Sequence, residues 1–145
     1  MDNFFFDLGE YLNKYSYYKT CEVAKRFNVK PIENITKLEQ KIMQNIISRC
    51  LMSYNSTGDS LDLIGVFLYE ESEQTGEVKD FNGINISISK TKAIIGMSTN
   101  LLTAPAMYQY SVFLHELCHL SEREHNENFV KRFNDVLYNF FDMNS

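Results

Sequence analysis

The sequence predicts an α+β fold in a single domain of 145 residues. Apolar residues recur at helical spacing in the first third of the chain, at alternate positions between residues 61 and 98, and at helical spacing again after Pro105. Helices and strands that occupy separate stretches of a chain are typical of α+β proteins. We therefore expect N-terminal helices, a small three-stranded, mainly antiparallel sheet and two C-terminal helices, with residues 1–35 as a helical extension and 36–145 as the core.

Two helices are expected in the N-terminal extension. Apolar and aromatic residues from Phe4 to Tyr15 repeat every three or four positions, which predicts an amphipathic helix over the first twenty residues. A short helix with the body "CEVAKRF" follows, and Thr20 is its expected N-cap. Pro31 is expected to end this segment.

The next helix carries a clear start signal. In "TKLE", residues 36–39, the Thr hydroxyl can accept a hydrogen bond from an exposed amide and the Glu can reach back to the Thr amide, which is a capping box. Behind it one apolar stripe predicts a core-facing helix over about residues 37–54. That stripe comprises Leu38, Ile42, Met43, Ile46, Ile47, Cys50, Leu51 and Tyr54.

Three strands are expected in the middle of the chain, after the loop "NSTGDS". The candidates are "LDLIGVFLY" at 61–69, "GINISIS" at 83–89, where isoleucines alternate with polar residues, and "AIIGMS" at 93–98. An acidic, turn-rich loop separates the first two, and a short turn separates the last two. We expect the strands to form an antiparallel meander.

Two helices are expected to complete the chain. Thr103 and Pro105 mark the start of the first, which carries "MYQYSVFLHELCHLSE". Asn126 is the expected N-cap of the second, "ENFVKRFNDVLYNFFDM". We interpret the broad apolar stripe of this last helix as core packing. Its members are Phe129, Val130, Phe133, Val136, Leu137, Phe140 and Phe141.

Composition limits the classes of function. A formal net charge of −5 does not favour nucleic acid as a partner, because binding a phosphate backbone needs clustered cations. Three widely spaced cysteines do not suggest a disulfide framework, so a reducing compartment is expected. The start "MDNFFFDLGEY" is not a secretory signal, and no apolar stretch has the length of a membrane span. We therefore expect a cytoplasmic protein with no membrane partner.

The stretch "HELCHLSEREH", residues 115–125, holds all three histidines of the chain. His115 and His119 are four residues apart, so a helix places both imidazoles on one face where they can bind one metal ion. Glu116 is displaced around the helix and can reach a water bound to that metal. His125 can become the third ligand if the helix ends or bends near residues 121–123. A polar, solvated helix face is the alternative interpretation.

The segment "HELCHLSEREHNENF" resembles the motif of the small zinc metallopeptidases called YgjP-like, SprT-like and WLM. The resemblance covers about the last two-thirds of the chain, and its specific part is residues 115–129. It implies a zincin-like fold of the minigluzincin type, Zn²⁺ bound by His115, His119 and His125, and Glu116 as the general base. Phe129 matches the aromatic residue that packs after the third ligand.

The sequence departs from these families in several places. Val130 stands where many members have Trp, Glu124 stands where a small polar residue is common, and no Cys-rich zinc ribbon is present. Metzincins have a Gly between the second and third ligands where this chain has Glu122, so the sequence does not favour that class. Two alternatives to a metallopeptidase stay open. One is a YbeY-like zinc-dependent endoribonuclease, whose motif has Gly where this chain has Glu116, and the other is a non-catalytic protein that zinc only stabilises.

A peptidase of this kind needs further groups. We expect a polypeptide substrate that pairs with the sheet edge, which we place near Ile94 to Ser98, and an activating protein partner is a further expectation. Tyrosines 108, 110 and 138 have the right chemistry to stabilise an oxyanion, although packing is the more common role of such residues. Cys118 lies inside the motif, and we interpret it as a core residue.

Overall fold

A computed structural model describes residues 16–55, 63–76, 81–89, 92–119 and 124–143. Most of the helix expected over the first twenty residues, and residues 56–60 of the expected loop "NSTGDS", lie outside these ranges; Asn55 is the last residue of a helix. Within them helices flank a small sheet, which confirms the α+β class. The elements are α1 (Tyr17–Lys25), α2 (Lys37–Asn55), β1 (Leu63–Tyr69), β2 (Gly83–Ser87), β3 (Ala93–Ser98), α3 (Thr99–Leu102), α4 (Ala106–Cys118) and α5 (Glu127–Met143).

Helix α1 begins earlier than expected. The Ser16 hydroxyl accepts a hydrogen bond from the Lys19 amide at 3.1 Å, so Ser16 is the N-cap. The prediction of Thr20 as the cap is wrong, because Thr20 lies inside the helix and donates its hydroxyl to the Ser16 carbonyl at 2.9 Å. The helix also ends before Pro31, and Asn28 takes a left-handed φ of 63° just after it.

Helix α2 confirms the capping box. The Thr36 amide donates to the Glu39 carboxylate at 2.8 Å, and the Glu39 amide donates to the Thr36 hydroxyl at 3.1 Å. The predicted stripe is buried from Met43 onward. Leu38 is 68% exposed, so its assignment to the core is wrong; it lies on the solvent side of the first turn of α2, where Gln40 is the buried residue.

The sheet has the order β1-β3-β2, with β1 parallel and β2 antiparallel to β3. The predicted antiparallel meander is therefore wrong, although the three strands themselves are confirmed. The connection from β1 to β2 is long enough to pass the position that β3 occupies, whereas β2 and β3 are joined by a short turn and pair as a hairpin. Both β1 and β3 are buried throughout, while β2 is half-buried and lies at an edge of the sheet.

Helices α4 and α5 pack together on α2, and α4 also packs against β2. Gly83 makes the approach of β2 to α4 possible, because a Cβ at this position would lie 2.9 Å from Cγ1 of Val112. Asn126 caps α5 as predicted, since its side chain accepts a hydrogen bond from the Phe129 amide at 2.9 Å. Val130 and Phe141 are each 52% exposed, so their assignment to the core stripe is wrong.

The short helix α3 was not predicted, and the Ser98 hydroxyl caps it by accepting from the Leu101 amide. In the part of the chain that the structure describes, no helix has the length and apolar character needed to cross a membrane.

Candidate metal centre

Helix α4 places the first two histidines as the sequence predicts. The Nε2 atoms of His115 and His119 are 3.3 Å apart, because residues four apart on a helix lie one above the other. The helix itself is shorter than expected and ends at Cys118, with His119 as its C-cap. The predicted continuation of the helix to residue 122 falls on residues 120–123, outside the described ranges.

His125 lies beside the other two imidazoles. Its Nε2 atom is 3.0 Å from Nε2 of His115 and 3.1 Å from Nε2 of His119. The three ring nitrogens therefore form a nearly equilateral triangle. Among the described residues they form a group that could hold a metal ion. The chain returns to this point just before α5 begins, as the interpretation of His125 as a third ligand requires.

The donor set fits a zinc ion. Two imidazole nitrogens on a tetrahedral Zn²⁺ are about 3.3 Å apart, because each Zn–N bond is about 2.0–2.1 Å long. The observed separations of 3.0 to 3.3 Å are close to this value. Three nitrogen ligands would leave one position of a four-coordinate site open on the solvent side. The fit rests on the residues alone and applies to zinc better than to the harder cations that prefer oxygen.

The surroundings of His115 favour its neutral imidazole. Burial, and to a smaller extent the neighbouring rings of His119 and His125, lowers the pKa of His115 from 6.5 to about 4. A neutral ring keeps a lone pair for a metal ion, whereas a protonated ring has none. His115 is therefore ready to bind a cation at neutral pH.

Aromatic rings from α5 surround the imidazoles. Phe129 stacks on His119 with ring centroids 4.5 Å apart, and it meets the rings of His115 and His125 at 4.9 Å each. Phe133 lies edge-on to His115 at 5.5 Å. Phe129 is buried, and its own amide is held by the N-cap of α5. The start of α5 thereby fixes the aromatic wall behind the three rings, and Phe129 lies where the resemblance implies.

Glu116 faces β2 from the same helix. Its side chain is almost fully buried, and a Cβ built on Gly83 would lie 3.7 Å from its Oε2 atom. The main-chain carbonyl of Glu116 accepts hydrogen bonds from the Asn85 side chain at 2.8 Å and from the His119 amide at 3.2 Å. The Asn85 amide thus ties β2 to the end of α4, where the carboxylate lies.

A cavity of about 470 Å³ brings these groups together. Its walls include the three histidines, Glu116 and the strand β2. A cavity of this size is within the usual range of ligand sites. Four side chains that the motif singled out therefore share one cleft.

The cleft runs along the outer edge of β2. The Ser98 amide donates to the Asn82 carbonyl and the Ile88 amide donates to the Lys92 carbonyl, so the even-numbered residues of this segment bond to the β3 side. The alternation of an antiparallel ladder then directs the main-chain groups of Gly83, Asn85 and Ser87 away from β3. The same three residues line the cavity. The predicted edge near Ile94 to Ser98 is wrong, because β3 is the central strand.

The candidate oxyanion donors differ in position. The Tyr110 hydroxyl accepts from the Asn45 side chain at 2.9 Å and its ring packs on Phe140, so it belongs to the interior between helices. Tyr138 is 78% exposed on α5. Tyr108 alone of the three lines a cavity with His115 and Glu116.

Tyr108 nevertheless lies too far from the imidazoles to stabilise an oxyanion. It precedes His115 by two helical turns, about 10 Å along the axis of α4. Its role is that of a wall of the cleft. Cys118 is fully buried, as predicted for a core residue.

Sequence reasoning missed the contribution of β2. Gly83, Asn85 and Ser87 carry no recognisable motif, and only the strand order brings them beside α4. The alternation of polar and apolar residues in "GINISIS" was the available signal, since it marks a strand with one solvated side.

The family model described as YgjP-like, metallopeptidase domain matches residues 86–143, a range that runs from the end of β2 through α5 and includes the three histidines and Glu116. No curated protein and no solved structure matches the chain significantly.

Proposed function

We propose that this protein hydrolyses peptide bonds by a zinc-dependent mechanism with Glu116 as the general base, and the match of residues 86–143 to the YgjP-like metallopeptidase family model supports this proposal. The observation that carries the proposal is the convergence of three Nε2 atoms within 3.3 Å of one another in the cleft that also contains Glu116. The family supports a metal-dependent hydrolase; the identity of the metal and the roles of the residues are our proposal.

His115, His119 and His125 would hold the zinc ion. Zinc bound there would supply a Lewis acid, which lowers the pKa of a coordinated water and polarises the carbonyl of the scissile bond. Phe129 stacks on His119 and meets the rings of His115 and His125 edge-on, so it restrains all three rings, and pre-organised ligands lose less freedom when they bind.

Glu116 would move the proton. A carboxylate oxygen of Glu116 accepts a proton from the attacking water and then delivers it to the nitrogen of the departing amine. Its position next to Gly83 is suited to this, since β2 and α4 shield the carboxylate from bulk water while leaving it in the wall of the cleft. The hydrogen bond from Asn85 to the main chain of Glu116 fixes the distance between this base and the strand.

An extended polypeptide would lie along β2. The main-chain groups of Gly83, Asn85 and Ser87 point to the side on which the substrate would pair, so the substrate would be held by strand addition. Strand addition recognises main-chain groups and therefore tolerates many sequences. The activating protein partner stays a prediction, because nothing in the described residues bears on it.

The cleft is poorly suited to RNA. Among the described residues that line the 470 Å³ cavity there is no lysine or arginine to neutralise a phosphate. The Glu116 carboxylate would instead repel a phosphate. This supports a peptide over an RNA substrate and ranks the endoribonuclease alternative second.

The test is a comparison of zinc content and hydrolysis in Glu116→Gln. We expect Glu116→Gln to bind zinc like the parent protein and to lose at least about a hundredfold in cleavage of an unfolded polypeptide, since the general base is absent. Glu73→Gln removes the same charge at an exposed site and serves as the control. Undiminished turnover in Glu116→Gln would contradict the assigned role, and cleavage of RNA alone by the zinc-loaded parent would contradict the proposed substrate.

A further inference from the structure

A second cavity of about 350 Å³ adjoins the metal centre. It shares Phe81, Gly83, His115 and Glu116 with the first cavity and extends towards the N-terminal end of α4. Four residues form its apolar wall, which we call the aromatic subsite: Phe81, Tyr108, Val112 and Phe133.

Three separate elements build the aromatic subsite. Tyr108 and Val112 are four residues apart on α4 and so lie on one face, in line with His115. Phe133 comes from α5, where it also meets the ring of His115. Phe81 lies two residues before the start of β2 and completes the lining. The subsite is therefore the continuation of the cleft, with α4 as its floor.

Hydrogen bonds hold the exposed members of the subsite in place. The Tyr108 hydroxyl accepts from the Asn82 side chain at 2.9 Å, and the main-chain carbonyl of Phe81 accepts from the buried Tyr69 hydroxyl at 2.6 Å. Yet Phe81 is 47% exposed and Tyr108 is 45% exposed. The Tyr108 ring and the main chain of Phe81 are thus held in the wall of a cavity that reaches the metal centre, while almost half of the surface of each residue is in water.

The chemistry of the aromatic subsite selects its occupant. Among its described lining residues, the Asp, Glu, His, Lys and Arg positions are limited to His115 of the metal centre and the proposed base Glu116. An acidic side chain that entered would lose hydration and would lie beside the carboxylate of Glu116, which is unfavourable. A large apolar side chain would instead remove the two rings from water, and burial of that surface is favourable.

We infer that the aromatic subsite binds the side chain of a residue that flanks the scissile bond, and that this residue is large and apolar. The inference rests on the proposed function, because the bond to be cleaved is the one next to His115 and Glu116. Side chains such as Phe, Leu, Met and Tyr are mostly buried in folded proteins. The substrates are therefore unfolded or extended polypeptide segments, which expose both these side chains and the main chain that pairs with β2.

The test begins with peptides that differ at one position. A series identical except for Phe, Leu, Ala, Asp or Lys is made at each position flanking the scissile bond, and kcat/KM is measured with zinc-loaded protein. At one flanking position we expect Phe and Leu to be cleaved at least about tenfold better than Ala, and Asp to be cleaved worst because it would meet the Glu116 carboxylate; Lys should be cleaved less well than Phe and Leu. Cleavage with equal efficiency across the series would overturn the inference and leave the proposed function standing.

Variants locate the subsite. Tyr108→Ala should reduce the preference for Phe over Ala several-fold, and Val112→Phe should fill the cavity and reverse the preference in favour of small residues. Tyr138→Ala removes an exposed tyrosine from α5 and is the matched control, for which we expect the parent's preference. A preference that survives both Tyr108→Ala and Val112→Phe would show that another surface selects the side chain.

Binding can be measured without turnover. The chain contains no tryptophan, so the fluorescence of a tryptophan placed in a peptide reports the environment of the peptide alone. With zinc-loaded Glu116→Gln, we expect a blue shift when tryptophan occupies the selected position, and a smaller one when Tyr108→Ala is added. Binding without cleavage by the zinc-loaded parent would contradict the proposed function while supporting the subsite, and neither binding nor cleavage would contradict both.

Discussion

Gly83→Ala tests whether the close approach of β2 to α4 sets the geometry of the proposed active site. The new Cβ would lie 2.9 Å from Cγ1 of Val112 and 3.3 Å from Cγ of Glu116. Carbon atoms are in favourable contact at about 3.5–4.0 Å, so strand and helix must separate by about 0.6 Å or more. Val112 is β-branched and stiff on a helix, which makes a rotation of that side chain an unfavourable escape.

The consequence for catalysis follows from this displacement. A shift of about 1 Å between catalytic groups and substrate can lower a rate about a hundredfold. We therefore expect Gly83→Ala to reduce kcat/KM by about tenfold to a hundredfold, with zinc binding retained because the three histidines do not lie on β2. Overpacking should also lower the free energy of unfolding by about 1–3 kcal/mol.

The assay is peptide hydrolysis at a temperature well below the unfolding transition, with the zinc content measured on the same sample. Gly65→Ala is the matched control, because its Cβ would clash with Thr20 of α1 on the other side of the sheet. It should lower stability yet keep kcat/KM within about twofold, since Gly65 touches no part of the cleft. If Gly83→Ala kept the full kcat/KM, the reasoning about the β2 edge would be refuted.

Two further predictions concern stability. Asn126→Ala should lower the free energy of unfolding by about 1 kcal/mol through loss of the N-cap of α5. It should also weaken zinc binding, because the start of α5 presents Phe129 to the histidines. Thr36→Ala removes a cap from α2, so it should lower the free energy of unfolding by a similar amount and leave zinc binding unchanged. Burial raises the pKa of the Cys21 thiol from 9.0 to about 12. Because the unfolded chain loses this proton at a lower pH than the folded chain, the free energy of unfolding should fall as pH rises from 9 towards 12. Urea unfolding across this pH range measures the effect. Cys21→Ala should remove that part of the pH dependence, and equal slopes in parent and variant would contradict the assignment.

The local parts of the structure could be predicted from the sequence because their causes are local. The capping box of Thr36 and Glu39, the N-cap Asn126 and the four-residue spacing of His115 and His119 each depend on residues within one helical turn. Ser16 and Thr20 are both able to cap a helix, and the choice between them depended on whether Tyr17 is buried by the rest of the protein.

The sheet order could not be obtained in the same way. Both a meander and the observed β1-β3-β2 order agree with the strand patterns, and the difference depends on a parallel pairing between distant segments. The continuous burial of β3 is compatible with a central strand, but an apolar run of five residues does not by itself exclude an edge. The error placed the expected peptide-binding edge on β3, whereas we propose β2, and it left Gly83 and Asn85 out of the predicted site.

X-ray absorption spectroscopy of the zinc-loaded protein tests the central claim most directly, because it counts the ligands of the metal and identifies their elements. We predict one zinc ion per chain with three imidazole nitrogens and one oxygen at about 2.0–2.1 Å, and the loss of one imidazole in His125→Ala. A sulfur ligand at about 2.3 Å, only two imidazoles in the parent protein, or an unchanged spectrum in His125→Ala would contradict it.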